Sequence, residues 1–174
     1  MFVLAVILIN ALVYFYINVN HPDLLYVWGF SQETMYNPLV WVTSVFMHVN
    51  LMHIGMNMAV LFQIGFGAEK NLGIGKISIV YILSAIGGSA ATLLFIEMSQ
   101  ANVLVVGASG AIFGLYAFLS MYAMRLKAFA IEVVIFHVIV IAFGLPVAWY
   151  AHAGGILVGL ALVKTSLGRK MWLA

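Results

Sequence analysis

Charge and cysteine are what this sequence lacks. Of its 174 residues 7% are charged and 66% are hydrophobic, with mean hydropathy +1.16, whereas soluble domains carry about 25% charged and about 45 to 50% apolar residues. Seven Lys/Arg and five Asp/Glu are too few to solvate a surface, which excludes a soluble globular protein. The absence of Cys excludes disulfides, thiolate metal centres and a cysteine nucleophile, and leaves the redox compartment open. Acid is scarce as well, with Asp23 the only aspartate and glutamates at Glu33, Glu69, Glu97 and Glu132. The first apolar stretch lacks a basic n-region and a small-residue cleavage site before Asn20, so it reads as a membrane span and not as a signal peptide. No repeat or low-complexity tract divides the chain, and 1–174 reads as a single domain. The net charge of +2 sits in loops and speaks to topology; no nucleic-acid partner is expected.

What is present is a series of apolar stretches at the length a bilayer demands, about 20 residues each. They fall at about Met1 to Val19, Asn50 to Phe66, Ile77 to Met98, Ser109 to Met124, Ala128 to Phe143 and Trp149 to Leu167. The expected fold class is an all-α membrane protein, a six-helix transmembrane bundle. A long loop from Asn20 to Met47 joins spans one and two. Its Trp28, Phe30, Tyr36, Trp41 and Phe46 suit the membrane interface. Span four is short, so the segment Ser99 to Ala108 must dip into the protein to meet it. Non-helical backbone at that depth has to be buried in protein or line a water-filled cavity.

The basic residues orient the bundle. Lys70 and Lys76 follow span two, Arg125 and Lys127 follow span four, and Lys164, Arg169 and Lys170 end span six. With six spans they share one side, which the positive-inside rule makes cytoplasmic. Both termini are then cytoplasmic, and spans two, four and six begin on the outer side. His53, Ser109 and His152 stand at those beginnings, 17, 16 and 17 residues before Lys70, Arg125 and Arg169. At 1.5 Å per residue they share a depth about 24 to 26 Å above the cytoplasmic boundary.

Ser109, in Gly107-Ala108-Ser109-Gly110, starts a helix whose free N–H groups suit both a nucleophile and an oxyanion. His152 is the natural base. The small-residue stripe Ala151, Gly155, Gly159 and the pair Gly110, Gly114 would let spans six and four approach closely. His53 and Asn57 share a helix face and offer two oxyanion donors. Phe113, one turn after Ser109, is placed to stack on His152. No acid completes a triad, so the chemistry would be that of a Ser/His dyad. His48 would brace the loop, His137 in span five has no identifiable partner, and His21 is a solvated loop residue. Each feature alone also has a structural explanation as a cap, a packing stripe or an interhelical hydrogen bond.

Together, His48-x4-His53-x3-Asn57, Gly107-x-Ser109-Gly110 and Ala151-His152-x2-Gly155-x3-Gly159, on the second, fourth and sixth spans, resemble the rhomboid family of intramembrane serine proteases. The likeness is nearest to bacterial members. It covers nearly the whole chain and takes in Glu69-Lys70-x-Leu72-Gly73-x-Gly75-Lys76. The resemblance implies Ser109 as nucleophile, His152 as base, and an oxyanion hole from His53, Asn57 and the Ser109 N–H, with Gly107 allowing close approach of the loop. It implies single-span membrane proteins as substrates, membrane lipid as surroundings, no cofactor and no metal. It implies the bacterial inner membrane, with the site opening to the outer, periplasmic side. The chain differs from the family at Leu39-Val40-Trp41-Val42, where Trp-Arg is frequent, and at Phe113, where Tyr is usual. A catalytically inactive, client-binding relative is the alternative, and it would lack a dyad residue. A haem protein would need histidines facing one another across a shared cofactor slot, and a small transporter fits less well because the polar residues gather at one outer depth and not along a path.

Overall fold

In a computed structural model, which describes residues 1–169, the regular structure among those residues is helical, with one isolated antiparallel bridge between Phe30 and Val105. Helix α1 (Phe2–Phe15) continues into a π-helical turn, Tyr16–Asn20. The connector to residue 50 carries the short α2 (Leu24–Trp28) and α3 (Val40–Thr43). Then come α4 (Leu51–Leu72), α5 (Ile74–Ser99), α6 (Ser109–Tyr122), α7 (Leu126–Ala142), α8 (Trp149–Val163) and α9 (Ser166–Arg169). Phe2–Asn20, Leu51–Leu72 and Ile74–Ser99 are long and apolar enough to cross a membrane, while α6 and α8 are shorter apolar helices. Lys170, in the basic cluster at the end of the chain, lies outside the described residues.

Helix limits follow local chemistry. Asn50 caps α4 by accepting the His53 N–H at 2.8 Å through Oδ1. The helix runs to Leu72, not to the Phe66 read from hydropathy, because Glu69 turns inward. Its Oε1 accepts the Phe2 N–H at 3.0 Å and its Oε2 the Val3 N–H at 2.8 Å, capping the first turn of α1. A polar stretch that looks like a loop in sequence is therefore a helical end with a buried carboxylate. Gly73, at φ +86°, then turns the chain directly into α5. The Glu69 bonds also put the start of α1 and the end of α4 at one end of the bundle, where the α4–α5 turn carries Lys70 and Lys76.

The distribution of polarity is that of a helix bundle meant for lipid. Leu8, Leu12, Val134, Ile141 and Leu157 face outward, while Asn10, Ser84, Thr92 and His48 are buried. The centre is a junction of α5, α6 and α8 made of small residues. A Cβ at Gly155 would lie 2.0 Å from the Gly110 carbonyl oxygen, and one at Gly159 2.0 Å from that of Gly114. The stripe on α8 thus meets the pair on α6. Gly87 and Gly88 of α5 add a third face, since a Cβ at Gly154 would lie 2.3 Å from the Gly87 carbonyl oxygen. Backbone contact without intervening side chains fixes the relative height of α6 and α8.

Candidate active site

The segment entering α6 is held from outside by the connector between α1 and α4. Phe30 and Val105 exchange backbone bonds at 3.0 and 2.8 Å, and the Gly107 N–H donates to the Ser44 carbonyl at 2.9 Å. The connector is itself anchored without the Trp-Arg pair. Trp41 Nε1 donates to the Met35 carbonyl at 3.0 Å, its ring packs on Phe30, and its carbonyl accepts from Ser89 Oγ of α5. Gly107 has φ +116°, and a Cβ there would lie 2.7 Å from His53 Cε1. Both the conformation and the space call for glycine.

This entry delivers Ser109 to the first position of α6, where its N–H and those of Gly110 and Ala111 have no acceptor within the helix. Ser109 Oγ lies 2.8 Å from His152 Nε2. The imidazole is buried, and Phe113 lies against it with ring centroids 4.3 Å apart and planes tilted by 30°. His53, Asn57, Gly107, Ser109, Phe113 and His152 line one cavity of about 770 Å³. Asn57 Nδ2 points back along α4, donating to the His53 carbonyl at 2.9 Å, while His53 sits edge-on to Gly107. His48 lies behind His53, fully buried, with ring centroids 4.9 Å apart. Burial, and next the neighbouring His53, push the His48 imidazole down to about 3, so it stays neutral.

One sequence expectation changes. His137 has a partner after all: its Nε2 lies 3.0 Å from His152 Nδ1, and its Nδ1 lies 2.8 Å from the Val133 carbonyl. Glu97, at the far end of α5, is bonded by the Tyr36 hydroxyl, and Glu132 of α7 by the Tyr116 hydroxyl of α6. His48, at the end of the connector, is fully buried with its ring edge-to-face against His53. His21 stays exposed, against Tyr16. For His137 a signal was available, since an ionisable side chain in mid-span is a functional candidate by default. Its partner was not legible, because the pairing of α7 with α8 exists only in the folded bundle.

A Rhomboid domain model matches residues 32–169. The chain belongs to the rhomboid family. It is 27% identical over 176 residues to rhomboid protease GluP of Bacillus subtilis, covering 93% of this chain and 34% of that protein. Against rhomboid protease GlpG of Salmonella newport the identity is 28% over 155 residues, with 82% and 54% of the two chains covered. RHOMBOID-like protein 2 of Arabidopsis thaliana is 36% identical over 132 residues, covering 70% and 40%. The chain thus spans between a third and about half of the length of these relatives. Family and apolar helices together make this rhomboid an integral membrane protein.

Proposed function

We propose that this rhomboid is an intramembrane serine endopeptidase that cuts membrane proteins within or beside a transmembrane segment. The observation that carries the proposal is the 2.8 Å approach of Ser109 Oγ to a buried His152 Nε2 at the start of a helix inside an apolar bundle. The Ser109 proton passes to His152 Nε2 as Oγ attacks the scissile carbonyl. The oxyanion forms beside the free N–H groups of the first turn of α6, with His53 and Asn57 as further donors. Each such donor contributes about 10² to 10³ in rate. Asn57 Nδ2 gives one N–H to the His53 carbonyl and keeps a second for the oxyanion. His152 then protonates the leaving amine, and a water entering the cavity hydrolyses the acyl-enzyme with His152 again as base.

Six membrane spans in a bacterial inner membrane, with cytoplasmic termini, put Ser109 a few ångströms inside the periplasmic face and open the cavity to that side. The basic turns at the opposite end support this orientation. Single-span proteins are the proposed substrates. An inactive client-binding role is less favoured, since both dyad residues are present and in contact.

The experiment is labelling with a fluorophosphonate probe and mapping the modified residue, expected to be Ser109. Ser109→Ala and His152→Ala should each abolish cleavage of a single-span test substrate, and the double variant should be scarcely worse, since residues acting as a unit are not additive. Cleavage by Ser109→Ala near the unsubstituted rate would overturn the proposal.

A further inference from the structure

The Ser109–His152 contact is one link in a longer chain of hydrogen bonds whose far end is unambiguous. The Val133 carbonyl can only accept, so the His137 Nδ1 that lies 2.8 Å from it carries the proton. In a neutral imidazole the other nitrogen is then an acceptor, and that nitrogen, His137 Nε2, lies 3.0 Å from His152 Nδ1. His152 Nδ1 must therefore carry its proton, which leaves a lone pair on His152 Nε2, the atom 2.8 Å from Ser109 Oγ. One backbone carbonyl, acting through two imidazoles, selects the tautomer of His152 that can take a proton from serine.

We infer that His137 is the positioning residue for the base, so that the site works as a Ser109–His152–His137 relay in place of an acid-completed triad. This rests on the dyad proposed above. Two aromatic rings assist in aligning it. Phe113 lies 4.3 Å from the His152 ring and 5.6 Å from the His137 ring, between centroids, and Phe136 lies 5.3 Å from Phe113. When Oγ attacks, its O–H bond breaks and an N–H bond forms at His152 Nε2. The resulting imidazolium keeps its Nδ1 proton and donates it to His137 Nε2 in a charge-assisted bond. No proton needs to move onto His137. Its contribution is orientation of the neutral base and stabilisation of the charged one, the part an aspartate plays in other serine hydrolases.

A second consequence is mechanical. The bond to His152 reaches from α7 to α8, whereas α7 otherwise packs chiefly on α6. Competence of the base thus depends on where α7 is seated.

The test replaces His137 by Phe, which keeps a ring but has no acceptor, by Leu, and by Gln, whose amide oxygen can accept from His152 Nδ1 without titrating. The full chain is assayed in detergent and in liposomes on a single-span substrate, with Ser109→Ala as the inactive reference. His137→Phe and His137→Leu should lower kcat by about 10- to 100-fold with KM unchanged, the range for loss of an orienting partner. The rate of fluorophosphonate labelling at Ser109 should fall in the same ratio, because it needs the base but not the substrate. His137→Gln should recover most of both. A merely structural His137 would instead give a common loss for all three, in step with their unfolding temperatures. Equal impairment of Gln and Phe, or an apolar variant with unchanged kcat, overturns the inference while leaving the dyad standing. Cleavage by Ser109→Ala overturns the dyad itself.

Discussion

Adding one methyl group at Gly155 tests how the fold sets the distance on which the chemistry depends. In Gly155→Ala the new Cβ starts 2.0 Å from the Gly110 carbonyl oxygen, with its carbonyl carbon at 2.8 Å. Carbon–oxygen contacts between helices settle near about 3.3 Å, so α8 must recede from α6 by about 1.3 Å. Both atoms are backbone, so no side chain can rotate to absorb the shift. Gly110 follows Ser109 directly and Gly155 lies one turn from His152, so most of the displacement reaches the bond between them. A contact of 2.8 Å then opens to about 4 Å, outside hydrogen-bonding range. Misplacement by about 1 Å costs around 10²-fold in a positioned reaction, while overpacking destabilises by about 1 to 3 kcal/mol, which leaves a folded protein. Cleavage of a single-span substrate and the rate of Ser109 labelling should both fall by about two orders of magnitude. Gly159→Ala, with the same 2.0 Å approach to Gly114 one turn further away, should lose less. Leu157→Ala, at a residue 68% exposed, should cleave nearly as the unsubstituted protein does. Gly155→Ala at full activity, with an unchanged unfolding temperature, would refute the packing argument.

Gly107→Ala combines a φ of +116° with a Cβ 2.7 Å from His53 Cε1, and should lower kcat by about 10-fold through a displaced loop; cleavage of a single-span substrate at the unsubstituted rate would refute the clash. Glu69→Ala leaves the Phe2 and Val3 N–H groups without their acceptor and should cost about 1 to 2 kcal/mol in thermal unfolding, with cleavage at low temperature retained because the site lies at the other end of the bundle. His48 makes stability depend on pH. Burial holds its imidazole at about 3 against an ordinary 6.5, so the unfolded chain binds a proton there that the fold refuses. Its contribution is complete above about 6.5 and declines as pH falls toward 3, and His48→Phe should flatten that part of a stability-against-pH curve.

How much of this was legible from residues alone varies with the range of the interaction. Gly107, Ser109 and the stripes at Gly110/Gly114 and Gly155/Gly159 can be picked out because helical spacing and backbone demands are local. The extent of α4 could not be read so. Glu69-Lys70-Asn71 looks like a solvated turn, and only the approach of the α1 N-terminus makes a buried carboxylate there favourable. Gly87 and Gly88 likewise look like ordinary membrane-helix glycines until α8 is laid against them.

Composition alone dictates the class of protein. So little charge and so many long apolar stretches admit only a helical membrane bundle, since backbone polar groups in lipid must be satisfied within a helix. Its motifs were enough to point to the rhomboid family and to single out a serine and a histidine. Only the folded bundle shows what lies against His152, where His137 Nε2 sits 3.0 Å from Nδ1. The sequence contains no suitable acid near His152, and it gives no sign that a histidine 15 residues earlier lies against its ring. That contact depends on the rotation of α7 about its axis and on the seating of α8 against α6. The second is set by backbone contacts between α6 and α8 and the first by side-chain contacts such as Tyr116 on Phe129, which no local pattern encodes.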